Sequence, residues 1–265
     1  MTTTPLFRTA LITLAAFALS GGLAMSPAQA AEIEIAAPIL PPHVTEAGEG
    51  REVSVIRESL EACGHTARFE TFPFGTHWKR YRKQDGFDAV TTAPARMDLP
   101  GATSDSYIEY QNGVSFLEKR DLSIDSVADL EGLDIVTFQD GLSILGLEDQ
   151  REAFGKVREI ADQEVHSRVL FGERVDVVLS DGLIFAAFNE KLRTERNVAF
   201  DIGQPVRFKA VVPPVAYRMA FRDPEIRNDF NRCFAELRDA GRIEAINKDY
   251  IARYRDVVGD QYLGY

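Results

Sequence analysis

The chain has 265 residues, 45% of them hydrophobic, and its 41 Asp and Glu against 30 Lys and Arg leave a formal charge of −11. That length supports one large or two small domains with a proper core, and the acidity argues against nucleic acid or an anionic membrane surface as partner. The four histidines (His43, His65, His77 and His166) are scattered without metal-ligand spacing, and neither a nucleophile elbow nor a phosphate loop occurs, so no metal or cofactor is expected.

Residues 1–30 contain one cation (Arg8), no acid, an apolar run over residues 10–19, and Ala28 and Ala30 in A-x-A spacing. This pattern predicts a secretory signal cleaved after Ala30. A spanning anchor needs about 18 or more consecutive apolar residues, and Ser20, Gly21 and Gly22 interrupt the run too soon. No Cys follows the run to take a lipid. Removing the leader takes away Arg8 alone, so the exported chain of 265 − 30 = 235 residues carries 29 − 41 = −12 charges.

The first strand is predicted over residues 32–37, stopped by Pro41, Pro42 and His43. A helix over 51–62 ends at Gly64, a left-handed cap. A strand over 66–72, a short helix over 76–83 with the single Trp78, and a strand over 88–92 complete a β-α-β-α-β unit, the pattern of a parallel sheet with crossover helices. A long extended stretch over 107–118 follows, and then the alternation restarts. Its parts are a short helix near 126–130, a strand over 134–138, a turn at Gly141, and a helix from Ser143 to about 154. Strands over 156–160 and 175–179 and helices over 162–170 and 182–192 continue the pattern. An extended run over 206–221, broken by Pro213 and Pro214, carries the chain back to a helical end over 224–254 divided at Gly241. The fold class is therefore α/β with two lobes joined by two extended crossings, which bend at element ends while each lobe keeps its core. The lobes are residues 31–112 with 215–265, and residues 113–214. Cys63 and Cys233 lie on apolar faces of two helices; export favours their pairing, with two separate buried thiols as the alternative.

Two stretches echo one another: GFDAVTTAPAR (86–96) and FGERVDVVLSD (171–181). Each reads as a glycine, an acidic turn and an apolar run ending at a residue able to hold charge. Ligands of open α/β sheets sit at the carboxyl ends of such strands. Arg96 on one lobe and Asp181 on the other therefore suggest the two halves of a clamp.

Over some 210 residues the order of elements resembles extracellular solute-binding proteins of family 3, the periplasmic amino-acid binders of ABC importers, with a type II periplasmic-binding fold. The segments that carry the resemblance are PPH (41–43), GREVSVIRESLEACG (50–64), DAVTTAPAR (88–96), DLEGLDIVTFQDG (129–141), GERVDVVLSD (172–181) and FNRCFAELRDAGRIEAINKDY (230–250). The resemblance implies a monomer that captures an amino acid or related carboxylate by hinge closure and delivers it to an ABC permease. Arg96 would grip the carboxylate through two parallel charge-assisted hydrogen bonds, Asp181 would take the ammonium group, Ser143 would meet the carboxylate from a helix start, and Thr91 and Thr92 would add polar contacts. Trp78, Phe74 and His43 would wall the ligand side chain. Each has a bland alternative: Arg96 as a surface ion-pair partner, Asp181 and Ser143 as helix caps, and Trp78 as core packing.

The chain departs from the family pattern at His43, which replaces an aromatic, in the short loop between residues 88 and 96, and in MDLPGATSDS (97–106). Two other functions stay open. One is a dehydratase-like enzyme using Glu173, Asp181 or His43 as acid or base, and the other is an accessory protein that binds a partner such as a periplasmic dehydrogenase.

Overall fold

A computed structural model describes residues 1–2, 30–84, 86–195 and 198–265. The expected leader falls almost wholly outside these residues. Among the described residues no helix is long and apolar enough to cross a membrane.

The chain opens with β1 (Glu32–Pro38), α1 (Arg51–Ala62), β2 (Thr66–Phe72), α2 (Thr76–Arg82), β3 (Ala89–Pro94), and the short β4 (Ala102–Thr103) and β5 (Ile108–Tyr110). It crosses over in β6 (Asn112–Leu117) and builds β7 (Ile135–Thr137), α3 (Gly141–Leu145), β8 (Val157–Glu159), α4 (Glu164–Phe171), β9 (Val177–Asp181) and α5 (Gly182–Arg193). It returns through β10 (Val206–Lys209) and β11 (Val215–Phe221) to α6 (Pro224–Asp239), α7 (Arg242–Ala252) and α8 (Arg255–Val258).

The strands form two sheets, ordered β2-β1-β3-β11-β4 with β5 also on β11, and β10-β6-β9-β7-β8. Each sheet has a parallel trio, β2-β1-β3 in one and β8-β7-β9 in the other, flanked by antiparallel crossing strands. This is the two-lobed architecture expected. The echoed segments become β3 and β9, the third parallel strand of each trio. Their acidic turns do the same thing in both lobes. Asp88 accepts the Glu34 N–H at 2.9 Å, and Asp176 accepts the Asp134 N–H at 2.8 Å. Each carboxylate thereby pins the entry of its lobe's first parallel strand.

Period-two alternation divides the second lobe's apolar residues between the two faces of its sheet. Phe116, Ile135, Val177 and Leu179 meet Leu142 on one side, while Leu117, Val136 and Val178 meet Leu170, Phe171 and Phe185 on the other. The first lobe packs Val55, Ile56 and Leu60 of α1 with Ile33 and Ile35 and with Phe230 of α6. Cys63 and Cys233 are joined, with Cα atoms 6.0 Å apart, closing α1 against α6.

Two differences from the sequence reading matter. The helix expected to run to residue 154 stops at Leu145, because Gly146 turns left-handed at φ 71°. The tail also reaches across the molecule: after α7 on the first lobe, Val258 and Tyr262 bury against Leu183 and Phe208 of the second, and Gln261 accepts the Ala210 N–H at 3.1 Å. The chain thus connects the lobes a third time.

Candidate functional site: the cleft between the lobes

The carboxyl ends of β3 and β9 face the space between the lobes, and that space has two unlike halves. The outer half is a cavity of about 710 Å3. Trp78, Arg96 and Met97 line it from the first lobe, Ser143, Ile144 and Leu145 from the second, and Pro213 and Pro214 from the crossing. The inner half retains only about 10 Å3, bounded by Phe74, Tyr110, Asn112, Phe138, Gln163, Asp181 and Tyr217. That is room for about one water molecule.

Arg96 stands two residues beyond β3, exposed, with no hydrogen-bond or ion-pair partner among the described residues. Thr91 and Thr92 explain how its turn is aimed. Opposite them β11 shifts register between Arg218 and Ala220, so the ladder is interrupted there, a bulge that re-aims the strand end. Thr92 takes φ 55°, a left-handed conformation uncommon for a β-branched residue. Its N–H, without a ladder partner, donates to the Tyr107 hydroxyl at 3.2 Å. Both threonines are fully buried; their hydroxyls meet at 2.9 Å and Thr92 Oγ1 donates to Glu52 at 2.8 Å. They support the strand end from inside the first lobe and do not line either half of the cleft.

Ser143 reaches the outer cavity because Gly141 lets α3 start hard against β7: a Cβ on Gly141 would sit 2.3 Å from Thr137 Oγ1. Trp78 anchors its indole N–H on the Thr91 carbonyl at 3.3 Å and turns one edge to the cavity, so it both packs and lines. Arg82 also lines this half, with one guanidinium N–H given to the Asp98 carbonyl at 2.8 Å. Asp98 and Asp140 stand exposed on the rim.

The inner half is closed by the chain itself. Phe74 and Phe138 meet edge to face across the lobes at 5.8 Å. Asp181, 2% exposed, caps α5 by accepting the Leu183 and Ile184 N–H groups at 2.9 and 3.0 Å. Its Oδ1 also faces His43 Nε2 at 3.2 Å, and its Oδ2 accepts the Tyr262 hydroxyl at 2.6 Å. Burial lowers the His43 pKa against the raising effect of Asp181. The imidazole is therefore held neutral, and the tautomer protonated at Nε2 donates to the carboxylate. Its ring stacks on Tyr110 at 3.9 Å. Gly50 makes this placement possible: at φ 132°, any Cβ there would lie 2.4 Å from the His43 carbonyl oxygen, which accepts the Glu52 N–H at 3.0 Å.

Behind His43 lies a buried carboxylate that the sequence did not single out. Glu52, fully buried, accepts hydroxyls from Tyr107, Tyr110 and Thr92. Burial first, then the Glu52 charge, pushes the phenols of Tyr107 and Tyr110 well above their ordinary range, so both remain donors. Arg51 beside it donates to Asn247 at 2.8 Å and to the Glu109 carbonyl at 3.1 Å, with its guanidinium over the Tyr262 ring. Tyr262 and Glu52 are the residues sequence reasoning missed.

The structure thus brings Arg96, Ser143 and Trp78 together around the outer cavity and Phe74 and Asp181 around the inner one, while His43 lines neither and is buried behind Asp181. Of the three acid–base candidates, Glu173 is on the exposed surface paired with Lys119 at 2.6 Å, while His43 and Asp181 are buried against each other. No group of three or more His, Cys, Asp or Glu side chains among the described residues could hold a metal.

Two lobes of this topology around a crossed cleft define the fold of the periplasmic binding proteins. Neither a family sequence profile nor a curated protein sequence matches the chain. Solved structures do. An ancestral arginine-binding protein bound to arginine is similar at 18% identity over 83% of this chain and 97% of its own, with a TM-score of 0.65. A histidine kinase sensor domain with similarity to periplasmic binding proteins aligns at 16% identity over 83% and 96%, with a TM-score of 0.66. An ancestral amino-acid-binding protein described as a precursor of cyclohexadienyl dehydratase aligns at 17% identity over 83% and 95%, with a TM-score of 0.63.

Proposed function

We propose that the protein is a periplasmic solute-binding protein, exported by a cleaved leader, that captures a small polar ligand, an amino acid or related carboxylate, and delivers it to an ABC permease as a monomer. The observation that carries this reading is the outer cleft: an arginine without a partner among the described residues on one lobe faces a serine at a helix start on the other, across a cavity of about 710 Å3. Cavities of roughly 300–1,000 Å3 with apolar walls and a few polar groups are the usual small-molecule sites. Arg96 grips the carboxylate, Ser143 meets it from the second lobe, and Trp78 packs against the ligand body. Phe74, His43, Asp181, Thr91 and Thr92 form the frame behind the ligand. The lobes are residues 31–112 with 215–265, and 113–214, and flexing at their connections closes the cleft mouth over the ligand.

Structural neighbours that bind arginine or other amino acids support a binder. The neighbour described as a precursor of a dehydratase keeps an enzymatic alternative in view. The test is a thermal-shift panel of amino acids and organic carboxylates on the purified protein. Linkage raises stability by about 2.7 kcal/mol at a hundredfold excess over Kd, and the bound compound is recovered unchanged. A panel without any shift sinks the reading, and turnover of a prephenate-like compound moves it to the enzyme.

A further inference from the structure

We propose that the ligand is an organic carboxylate without an α-ammonium group, carrying an extended apolar body that lies along the outer cleft; this rests on the cleft being the binding site. The reason lies in the hydrogen-bond capacity of Asp181. Four donors of this chain already meet its carboxylate: the Leu183 and Ile184 N–H groups and His43 Nε2 converge on Oδ1, and the Tyr262 hydroxyl takes Oδ2, which leaves one lone pair on Oδ2 of a side chain only 2% exposed. An ammonium group arriving there would find one lone pair for its three N–H donors, and a second contact would have to displace a helix cap or a fully buried tyrosine.

Space leads to the same conclusion. The inner half holds about 10 Å3 behind Phe74 and Phe138, too little for the α-carbon of an amino acid. The outer half is far larger than a free amino acid requires. Met97, Ile144, Leu145 and the Pro213–Pro214 pair give it apolar walls that shield an aliphatic or aryl body from water. At its edge the Arg96 guanidinium is free to pair with both oxygens of one carboxylate. Asp98 and Asp140, the acids of this half, stand on the solvated rim, where an ammonium contact contributes little.

Isothermal titration of the purified protein compares 3-phenylpropanoate with phenylalanine, and octanoate with 2-aminooctanoate, pairs that differ in the α-ammonium group alone. The expected result is binding of at least one simple carboxylate, about tenfold or more tighter than its amino partner, with Arg96→Gln weakening it by a similar factor at an unchanged melting temperature. Equal or tighter binding of the amino partner overturns the ligand class and leaves the cleft function standing. Binding of none of the four also overturns the class, and the cleft function falls with it only if the wider panel of amino acids and carboxylates fails as well.

Discussion

The inner and outer halves of one cleft have been built by opposite rules. In the inner half every oxygen of Asp181 is met by a donor of the chain, and aromatic rings from both lobes fill the space. It is packed as a protein core is packed, where a buried polar group is stable only when its hydrogen bonds are made. In the outer half Arg96 is exposed and unpaired among the described residues, and the apolar walls are separated by open volume. The difference teaches that strand ends placed by the same sheet topology can serve as a structural joint at one depth and as a candidate receptor a few residues away.

The inner half should respond to substitution as a core does. Asp181→Ala removes the α5 cap and strands four donors, so a loss of about 4 kcal/mol is expected by chemical denaturation. A loss below about 1 kcal/mol would show that the cluster is not a joint. Phe138→Ala, which deletes one side of the interlobe ring contact, should cost about 3 kcal/mol and enlarge the inner cavity enough to be seen crystallographically. Tyr262→Phe keeps the ring and removes only the hydroxyl donated to Asp181, so about 2 kcal/mol is at stake. An unchanged denaturation midpoint would mean that the tail's hydroxyl does not hold the lobes.

Much of this comparison was legible in the sequence, although not the part that divides the halves. Glycine-led Val runs identified β3 and β9, and the order of elements identified both lobes. Arg96, Ser143 and Trp78 do share one cavity. The helix after Gly141 is shorter than its sequence pattern suggests, because Leu142, Leu145 and Leu147 continue an apolar pattern through Gly146, where a positive φ ends it. The His43–Asp181 contact joins residues 138 apart, and Tyr262 lies beyond the last periodic helix, so no local spacing pointed to either. Glu52 was hidden by a commonplace: an acidic residue in the first turn of a helix is ordinarily there for the helix dipole, and only the fold brings Tyr107, Tyr110 and Thr92 around it.

Acid offers a gentler probe of the buried interior. His77 is fully buried beside Phe74 and Trp78, and neither of its ring nitrogens has a partner among the described residues. Burial lowers its pKa well below 6.5, and it lowers that of His166 to about 4. The unfolded chain therefore binds protons that the native chain refuses, and stability present above pH 6.5 is lost as the pH falls from there through the native values. His77→Leu should flatten the fall in this window by up to one proton, roughly 1.4 kcal/mol per pH unit. Parallel stability curves for the two proteins between pH 6 and 4.5 would show that His77 does not titrate on unfolding.

The smallest stability effect is expected where the largest binding effect is. Arg96→Ala removes an exposed side chain without a partner, so the melting temperature without ligand should move by no more than about 0.5 kcal/mol implies. Its removal should nonetheless abolish the ligand-induced shift, because no neighbouring group duplicates its fork. Arg82 has already turned part of its guanidinium to Asp98, and a lysine at position 96 would present a point charge in place of two parallel donors. Arg96→Lys is accordingly expected to leave stability intact and to recover only part of the binding. Full recovery by lysine would reduce the outer cleft to a general electrostatic attraction, whereas partial recovery separates a shaped carboxylate site from a charged rim.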